Sequence, residues 1–293
     1  MTEREGWIEW DGHRTWFRVA GELESGSAPL VCLHGGPGST HHYFAPLERL
    51  TEEGRAVVVY DQLGCGRSDR PATIEWSVQV FLDELAALRD QLGLDRIHLL
   101  GTSWGGMLAL EHALSGYGGL TSLVLSSTLA SAEEWETEVK RLRDELPPEV
   151  IAVLDEHERA GTYESAEYQQ AEAVFDARHF YRGATRPPEL ERMLPERGRE
   201  SYLAMWGANE WTLTGALRGW DVRPRLGEID VPALVIRGRH DLSTESINAT
   251  LLRGLPDARA VVFEHSSHTP VLEETERYLE VVGGFLREVE RAR

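Results

Sequence analysis

Apolar and polar positions alternate through the first twenty residues on either side of Asp11-Gly12. A period of two around a two-residue turn predicts a β-hairpin. Beyond it the pattern changes to short apolar runs at 30–33, 56–60, 97–100 and 123–125, each followed within a few residues by Gly or Ser. Between the second and third runs, positions 78–92 repeat their apolar residues at three and four spacing, which predicts a helix. Unbroken apolar runs are the mark of strands buried on both faces, so their alternation with helices predicts an α/β architecture: a mostly parallel sheet flanked by helices.

From 129 to 221 the pattern differs again. Long charged, helix-favouring stretches are broken at Pro147-Pro148 and Pro187-Pro188, and no strand-like run occurs. Strand patterns return at 233–237 and 260–263, and a helix over 274–290 closes the chain. The segment 129–221 is therefore expected to be an inserted helical cap, and 1–128 with 222–293 a single core domain interrupted by it.

Composition narrows the function classes. The 293 residues are 41% hydrophobic, enough for a large core, and carry a net charge of -19 from 49 acidic against 30 basic residues. Such a chain repels nucleic-acid backbones and anionic membranes, which argues against both as partners. The N-terminus lacks the basic-then-apolar order of a secretory signal, and no apolar run reaches the eighteen or so residues that span a bilayer, so a cytoplasmic location is expected. Cys32 and Cys65 do not form a disulfide framework and are expected to be reduced. Nothing in the sequence sets an oligomeric state.

Gly101-Thr102-Ser103-Trp104-Gly105 has the G-x-S-x-G spacing of a nucleophile elbow and lies between a strand and a helix, as that turn requires. In the α/β-hydrolase fold the partners follow in the order Ser, acid, His. Asp241, in Gly238-Arg239-His240-Asp241, and His268, in His265-Ser266-Ser267-His268, each follow a strand and are the expected acid and base. His265 and His240 are weaker rivals as base, and Asp221 and Asp257 as acid. Acyl transfer also needs donors for an oxyanion. His34-Gly35-Gly36-Pro37-Gly38 follows the first buried strand, and the Gly36 and Trp104 backbone N–H groups are the candidates. Asp61-Gln62-Leu63-Gly64-Cys65-Gly66-Arg67-Ser68 lacks the G-x-x-x-x-G-K-[ST] phosphate pattern and is read as a structural turn; His41-His42 lacks further metal-ligand spacing and is read as packing. No metal or organic cofactor is expected.

Together these segments, with Gly101 to Gly106 and Ser267-His268, resemble the proline iminopeptidases over about residues 30–270. The resemblance implies a capped serine α/β-hydrolase that releases N-terminal amino acids, proline or another small apolar residue, from short peptides or amino-acid amides. It also implies that Glu210, in Trp206-Gly207-Ala208-Asn209-Glu210-Trp211, holds the substrate amine; Trp211 or Trp206 is expected to pack the ring and Gly35 to line the site. One departure stands out: the family commonly has a second glutamate after the catalytic aspartate, whereas this chain has Leu242, with Glu245 three residues further on. The alternatives are a capped carboxylesterase or lactonase acting on a neutral small acyl substrate, with Glu210 serving the cap, and a non-catalytic receptor of the same fold.

Overall fold

The computed structural model describes residues 2–292. The hairpin is formed by β1 (Glu3–Trp10) and β2 (His13–Ala20). Asp11 and Gly12 both have positive φ, 45° and 78°, the backbone of a type I′ turn whose twist matches that of the strands. Four parallel-sheet strands follow: β3 (Leu30–Leu33), β4 (Val57–Tyr60), β5 (Ile97–Thr102) and β6 (Leu120–Ser126), with α1 (Val78–Leu92) after β4 and α2 (Trp104–Leu114) after β5. A 3₁₀ segment, His41–Glu53, joins β3 to β4 and buries His41, Phe44, Leu47 and Leu50 at a spacing of three.

Between β6 and the next core strand lie five helices: α3 (Ala132–Asp144), α4 (Pro148–Ala160), α5 (Ala166–His179), α6 (Pro188–Met193) and α7 (Arg199–Met205). The prolines at 148 and 188 open helices rather than merely breaking them, because a first-turn position needs no N–H. The insertion is not wholly helical, contrary to expectation. β7 (Gly207–Asn209) and β8 (Thr212–Leu213) form a small antiparallel hairpin, too short to leave an alternating pattern, with Glu210 and Trp211 at its turn. At the neck of the insertion, Ser131 and Asp221 form an antiparallel bridge. Core structure resumes with β9 (Ala233–Gly238), α8 (Glu245–Gly254), β10 (Ala258–Phe263), α9 (Pro270–Glu273) and α10 (Thr275–Arg291).

Among the described residues, eight strands form one sheet in the order β1-β2-β4-β3-β5-β6-β9-β10, antiparallel at β1-β2-β4 and parallel from there on. Successive side chains divide between its faces. Val31, Leu33, Val58 and Tyr60 join the core with Phe81 and Leu85 of α1 and Met107 and Leu108 of α2. Leu30, Cys32, Val57 and Val59 join Phe44 and Leu47 of the 3₁₀ segment and Tyr278, Val282 and Phe285 of α10. Both faces of the central strands are thus dry, which is why they read as unbroken apolar runs. Both cysteines are free and buried. No helix among the described residues is long and apolar enough to cross a membrane.

The end of α10 is fastened to the start of the sheet by a charged pair. Arg55 donates from Nη1 and Nη2 to the two Glu290 oxygens at 3.0 and 2.7 Å and from Nη1 to the Ala28 carbonyl at 2.5 Å. Against the opposing effect of burial, these contacts hold Glu290 down at about 2 from an ordinary 4.5. Its contribution to stability is therefore complete above pH 4.5 and lost as pH falls towards 2. Arg55→Met is expected to cost about 1–2 kcal/mol at pH 7, since Glu290 is partly solvated and keeps the Ala28 N–H and His98 as partners. Thermal melting from pH 7 down to pH 2 checks this, and the gap between variant and parent should narrow in acid.

Candidate active site

The elbow is built by sterics. Ser103 sits between β5 and α2 with φ 55° and ψ -122°, a conformation costly for a residue with a side chain. Its backbone is held on both sides: Ser103 N–H donates to the Ser126 carbonyl at 3.0 Å, and Thr128 Oγ1 donates to the Ser103 carbonyl at 2.6 Å. A Cβ on Gly105 would lie 1.9 Å from the Leu33 carbonyl oxygen, and one on Gly101 2.2 Å from that of Gly105. Glycine at both positions lets the helix start lie directly against the end of β3.

The loop leaving β3 lies beside this turn. Gly35 lines the cavity over Ser103; its N–H donates to the Tyr43 hydroxyl at 2.6 Å and its carbonyl accepts from Ser39 N–H at 3.2 Å. Among the described residues, neither Gly36 N–H nor Trp104 N–H has a hydrogen-bond acceptor. The two donors expected for an oxyanion are thus both unspent. The helix N-terminus at Trp104 adds partial positive charge to the same place.

His268 follows β10 and Asp241 follows β9, adjacent strands, which joins two residues far apart in sequence. His268 Nδ1 lies 2.7 Å from Asp241 Oδ1. A carboxylate only accepts, so Nδ1 carries the proton and Nε2 presents a lone pair. Asp241 is itself fixed by Ser243 N–H at 2.9 Å and Gly238 N–H at 3.3 Å. Burial disfavours the imidazolium of His268, but the Asp241 charge and hydrogen bond outweigh it and raise the group above its ordinary 6.5. The loop carrying His268 is tied down by Glu273, which accepts from Ser267 N–H and Oγ at 2.8 Å each. None of the rival residues, His240, His265, Asp221 and Asp257, lines the cavity that holds Ser103 and His268, and the Asp221 carboxylate is paired with Arg223.

The cap closes over this group. Trp135 of α3 sets its edge on the His268 ring at 5.9 Å and Phe180 lies across it at 5.4 Å, leaving His268 4% exposed. Ser103, His268, Gly35, Gly36 and Glu210 line one cavity of about 50 Å³, walled on the cap side by Phe180, Leu190, Met193 and Tyr202. Glu210 Oε1 accepts from the Tyr202 hydroxyl at 2.8 Å. Burial raises its carboxyl above the ordinary 4.5, against that hydrogen bond and the charges of His268 and Arg197. Phe180, Leu190, Met193, Arg197, Tyr202 and Glu210 also border a larger chamber of about 530 Å³. Glu172 and Asp176, one turn apart on α5, face that chamber, and burial pushes them up to about 7 and about 6.

Two expectations need correction. Trp211 does not border either cavity: it is buried in the cap against Phe175 at 5.0 Å, with its indole N–H on Glu158 Oε1 at 2.7 Å. Trp206, the other candidate, is likewise interior and meets Trp135 edge-on at 6.1 Å. The apolar wall comes instead from Phe180, Leu190 and Met193, ordinary core-type residues in sequence. The missing second glutamate is not replaced by Glu245, whose side chain is 83% exposed and pairs with Arg237 at 3.4 Å, while Leu242 is buried in the core. The His41-His42 pair is packing, as read: the rings stack at 4.3 Å and His41 Nδ1 meets Asp61 at 2.7 Å. No group of three or more His, Cys, Asp and Glu able to hold a metal occurs among the described residues.

Comparison with known proteins agrees with this architecture. The family model of the α/β-hydrolase fold matches residues 28–275. The proline iminopeptidase of Clostridium botulinum is 42% identical over 290 residues, covering 98% of this chain and 99% of that one. Among solved structures, VinJ superposes with a TM-score of 0.95 at 42% identity, covering 98% of this chain and 99% of its own. The proline iminopeptidase of Mycobacterium smegmatis gives 0.90 at 37% identity, covering 99% of both. With relatives this similar along their whole length, the chain belongs to the proline iminopeptidase family of α/β-hydrolases.

Proposed function

We propose that this chain is a serine aminopeptidase that releases an N-terminal residue, proline foremost, from short peptides or amino-acid amides, with Ser103, His268 and Asp241 as its catalytic residues. The observation that carries the reading is the sharing of one small cavity by Ser103, His268 and the carboxylate of Glu210. His268 Nε2 takes the Ser103 proton as Oγ attacks the carbonyl carbon. The carbonyl oxygen becomes an oxyanion between the Gly36 and Trp104 N–H groups. His268 then passes the proton to the departing amine, and water repeats the sequence on the acyl-enzyme to free the amino acid and restore Ser103.

Glu210 supplies the recognition. A substrate ammonium beside it gains a charge-assisted hydrogen bond in a site screened from water. Glu172 and Asp176 line the adjoining chamber, where a cationic group would favour their ionised forms over the neutral ones that burial promotes. Phe180, Leu190 and Met193 suit a small apolar ring. An esterase or lactonase acting on neutral substrates needs no carboxylate at this place in the cavity.

Glu210→Gln is expected to lower kcat/KM for a prolyl arylamide about 10- to 100-fold, the loss of one charged hydrogen bond of ~1.5–3 kcal/mol, and to spare a simple nitrophenyl ester. Equal effects on both would sink the amine assignment and favour the neutral-ester reading. Ser103→Ala should abolish turnover and labelling by a fluorophosphonate; an inert receptor would show neither activity to begin with. Because His268 is raised above 6.5 and must be neutral to act as base, kcat/KM is expected to climb with pH through a value above 6.5. Asp241→Asn, lacking the charge that causes the shift, should move that limb to lower pH and cut kcat by about 10⁴. A pH–rate series on both proteins measures it.

A further inference from the structure

Asp61 to Ser68 was read from sequence as a structural turn, yet Gln62 within it touches both halves of the site. Three hydrogen bonds define its position. Its backbone N–H donates to His34 Nε2 at 2.9 Å, its side-chain Nε2 donates to the His34 carbonyl at 2.9 Å, and its Oε1 accepts from the Trp104 indole N–H at 2.8 Å. The amide admits one orientation, because a flip would set N–H against N–H and oxygen against oxygen. Gln62 and His34 are fully buried and Trp104 is 1% exposed, so water does not compete for any of these bonds.

The residues on either side of Gln62 are pinned as well. Asp61 accepts from His41 N–H at 3.0 Å and Arg67 N–H at 3.1 Å, and Leu63 N–H donates to Glu84 at 2.8 Å. His34 is held at about 4, chiefly by burial, so it stays neutral and its Nε2 keeps accepting from Gln62 throughout the working pH range. A rigid amide therefore spans from the segment that carries Gly36 to the residue whose backbone N–H is the other donor.

We propose that Gln62 is the positioning residue of the oxyanion site: its side-chain amide sets the spacing between the Gly36 and Trp104 N–H groups. The inference rests on the assignment of those two groups as oxyanion donors. A spacer of this kind acts where charge develops on the carbonyl oxygen and has little to do with holding the ground-state substrate. Its removal should appear in kcat and in the affinity of tetrahedral adducts, with KM left alone.

The test compares the parent enzyme with Gln62→Met, Trp104→Phe, the double variant and Ser103→Ala. For each, kcat and KM are measured on a prolyl arylamide, together with inhibition by a prolyl boronic acid and thermal melting. Misplacing one donor is expected to lower kcat about 10- to 100-fold in Gln62→Met, with KM within about threefold and boronate affinity reduced by the same factor as kcat. Trp104→Phe, which keeps its backbone donor but loses the indole N–H, should lose kcat in the same way. The double variant should be no worse than the poorer single one, since both changes break one link. A folded Gln62→Met with kcat within twofold of the parent overturns the proposal, and so does a loss that appears in KM instead. If Gln62→Met does not melt cooperatively, Trp104→Phe decides by the same criteria. Ser103→Ala separates the two levels: turnover surviving in it removes the proposed function itself, whereas its loss beside an unaffected Gln62→Met removes only the role given to Gln62.

Discussion

The contact of Gly105 with the Leu33 carbonyl is the constraint from which the site follows. With no Cβ at 105, the first turn of α2 rests on the end of β3 at a separation no other residue allows. β3 ends there, so its outgoing loop begins beside the elbow, and Gly36 comes to line the same cavity as Ser103. The strained backbone of Ser103 is the local cost of this arrangement, and it is met by hydrogen bonds from the neighbouring β6 and the loop behind it. Two segments seventy residues apart in sequence become one polar surface because one side chain is missing.

His268 and Asp241 reach that surface from the other side of β5 and β6. Their strands are neighbours in the sheet, their loops are held by carboxylates and backbone donors, and Trp135 and Phe180 cover the result. Trp135 has a further contact, its indole N–H on the Glu210 carbonyl at 3.3 Å. One cap residue thus registers the β7–β8 turn against the His268 imidazole. Electrostatics and burial act together here: the same dry walls that raise Glu210, Glu172 and Asp176 also preserve the short His268–Asp241 bond from solvent.

Those parts of the molecule that answer to strong local rules were legible in the sequence. Leu30 to Leu33 and Ile97 to Leu100 read as strands because both their faces are buried, and Asp11-Gly12 as a turn because of its backbone demands; Ser103, Asp241 and His268 were singled out by their places after strands, and each lies just past the end of one. The parts set by tertiary packing were not. The β7–β8 hairpin is too short to show a period, and the 3₁₀ segment from His41 was passed over although His41, Phe44, Leu47 and Leu50 recur every three residues. Trp211 looked like a pocket residue from its place beside Glu210, but adjacent residues at a tight turn point apart, and the larger ring went to the cap interior. Phe180, at the end of α5, and Leu190 and Met193, on α6, come to wall one cavity only through the tertiary fold of the insertion. Glu172 and Asp176 were hidden among the many acidic residues of the insertion. Gln62 gave no chemical signal, since an amide that only bridges neighbours belongs to no catalytic motif.

The small cavity over Ser103 opens towards the larger chamber along a border that includes Glu210 and Tyr202. On the proposed function, this arrangement turns a general acyl-transfer site into a ruler. A carboxylate that must meet a free amine, lining the same small cavity as the nucleophile, measures from the end of the substrate and reads none of the sequence beyond it. The register of cleavage is then a property of cavity depth, and any change that lengthens the space between Glu210 and Ser103 alters how many residues are counted before the cut.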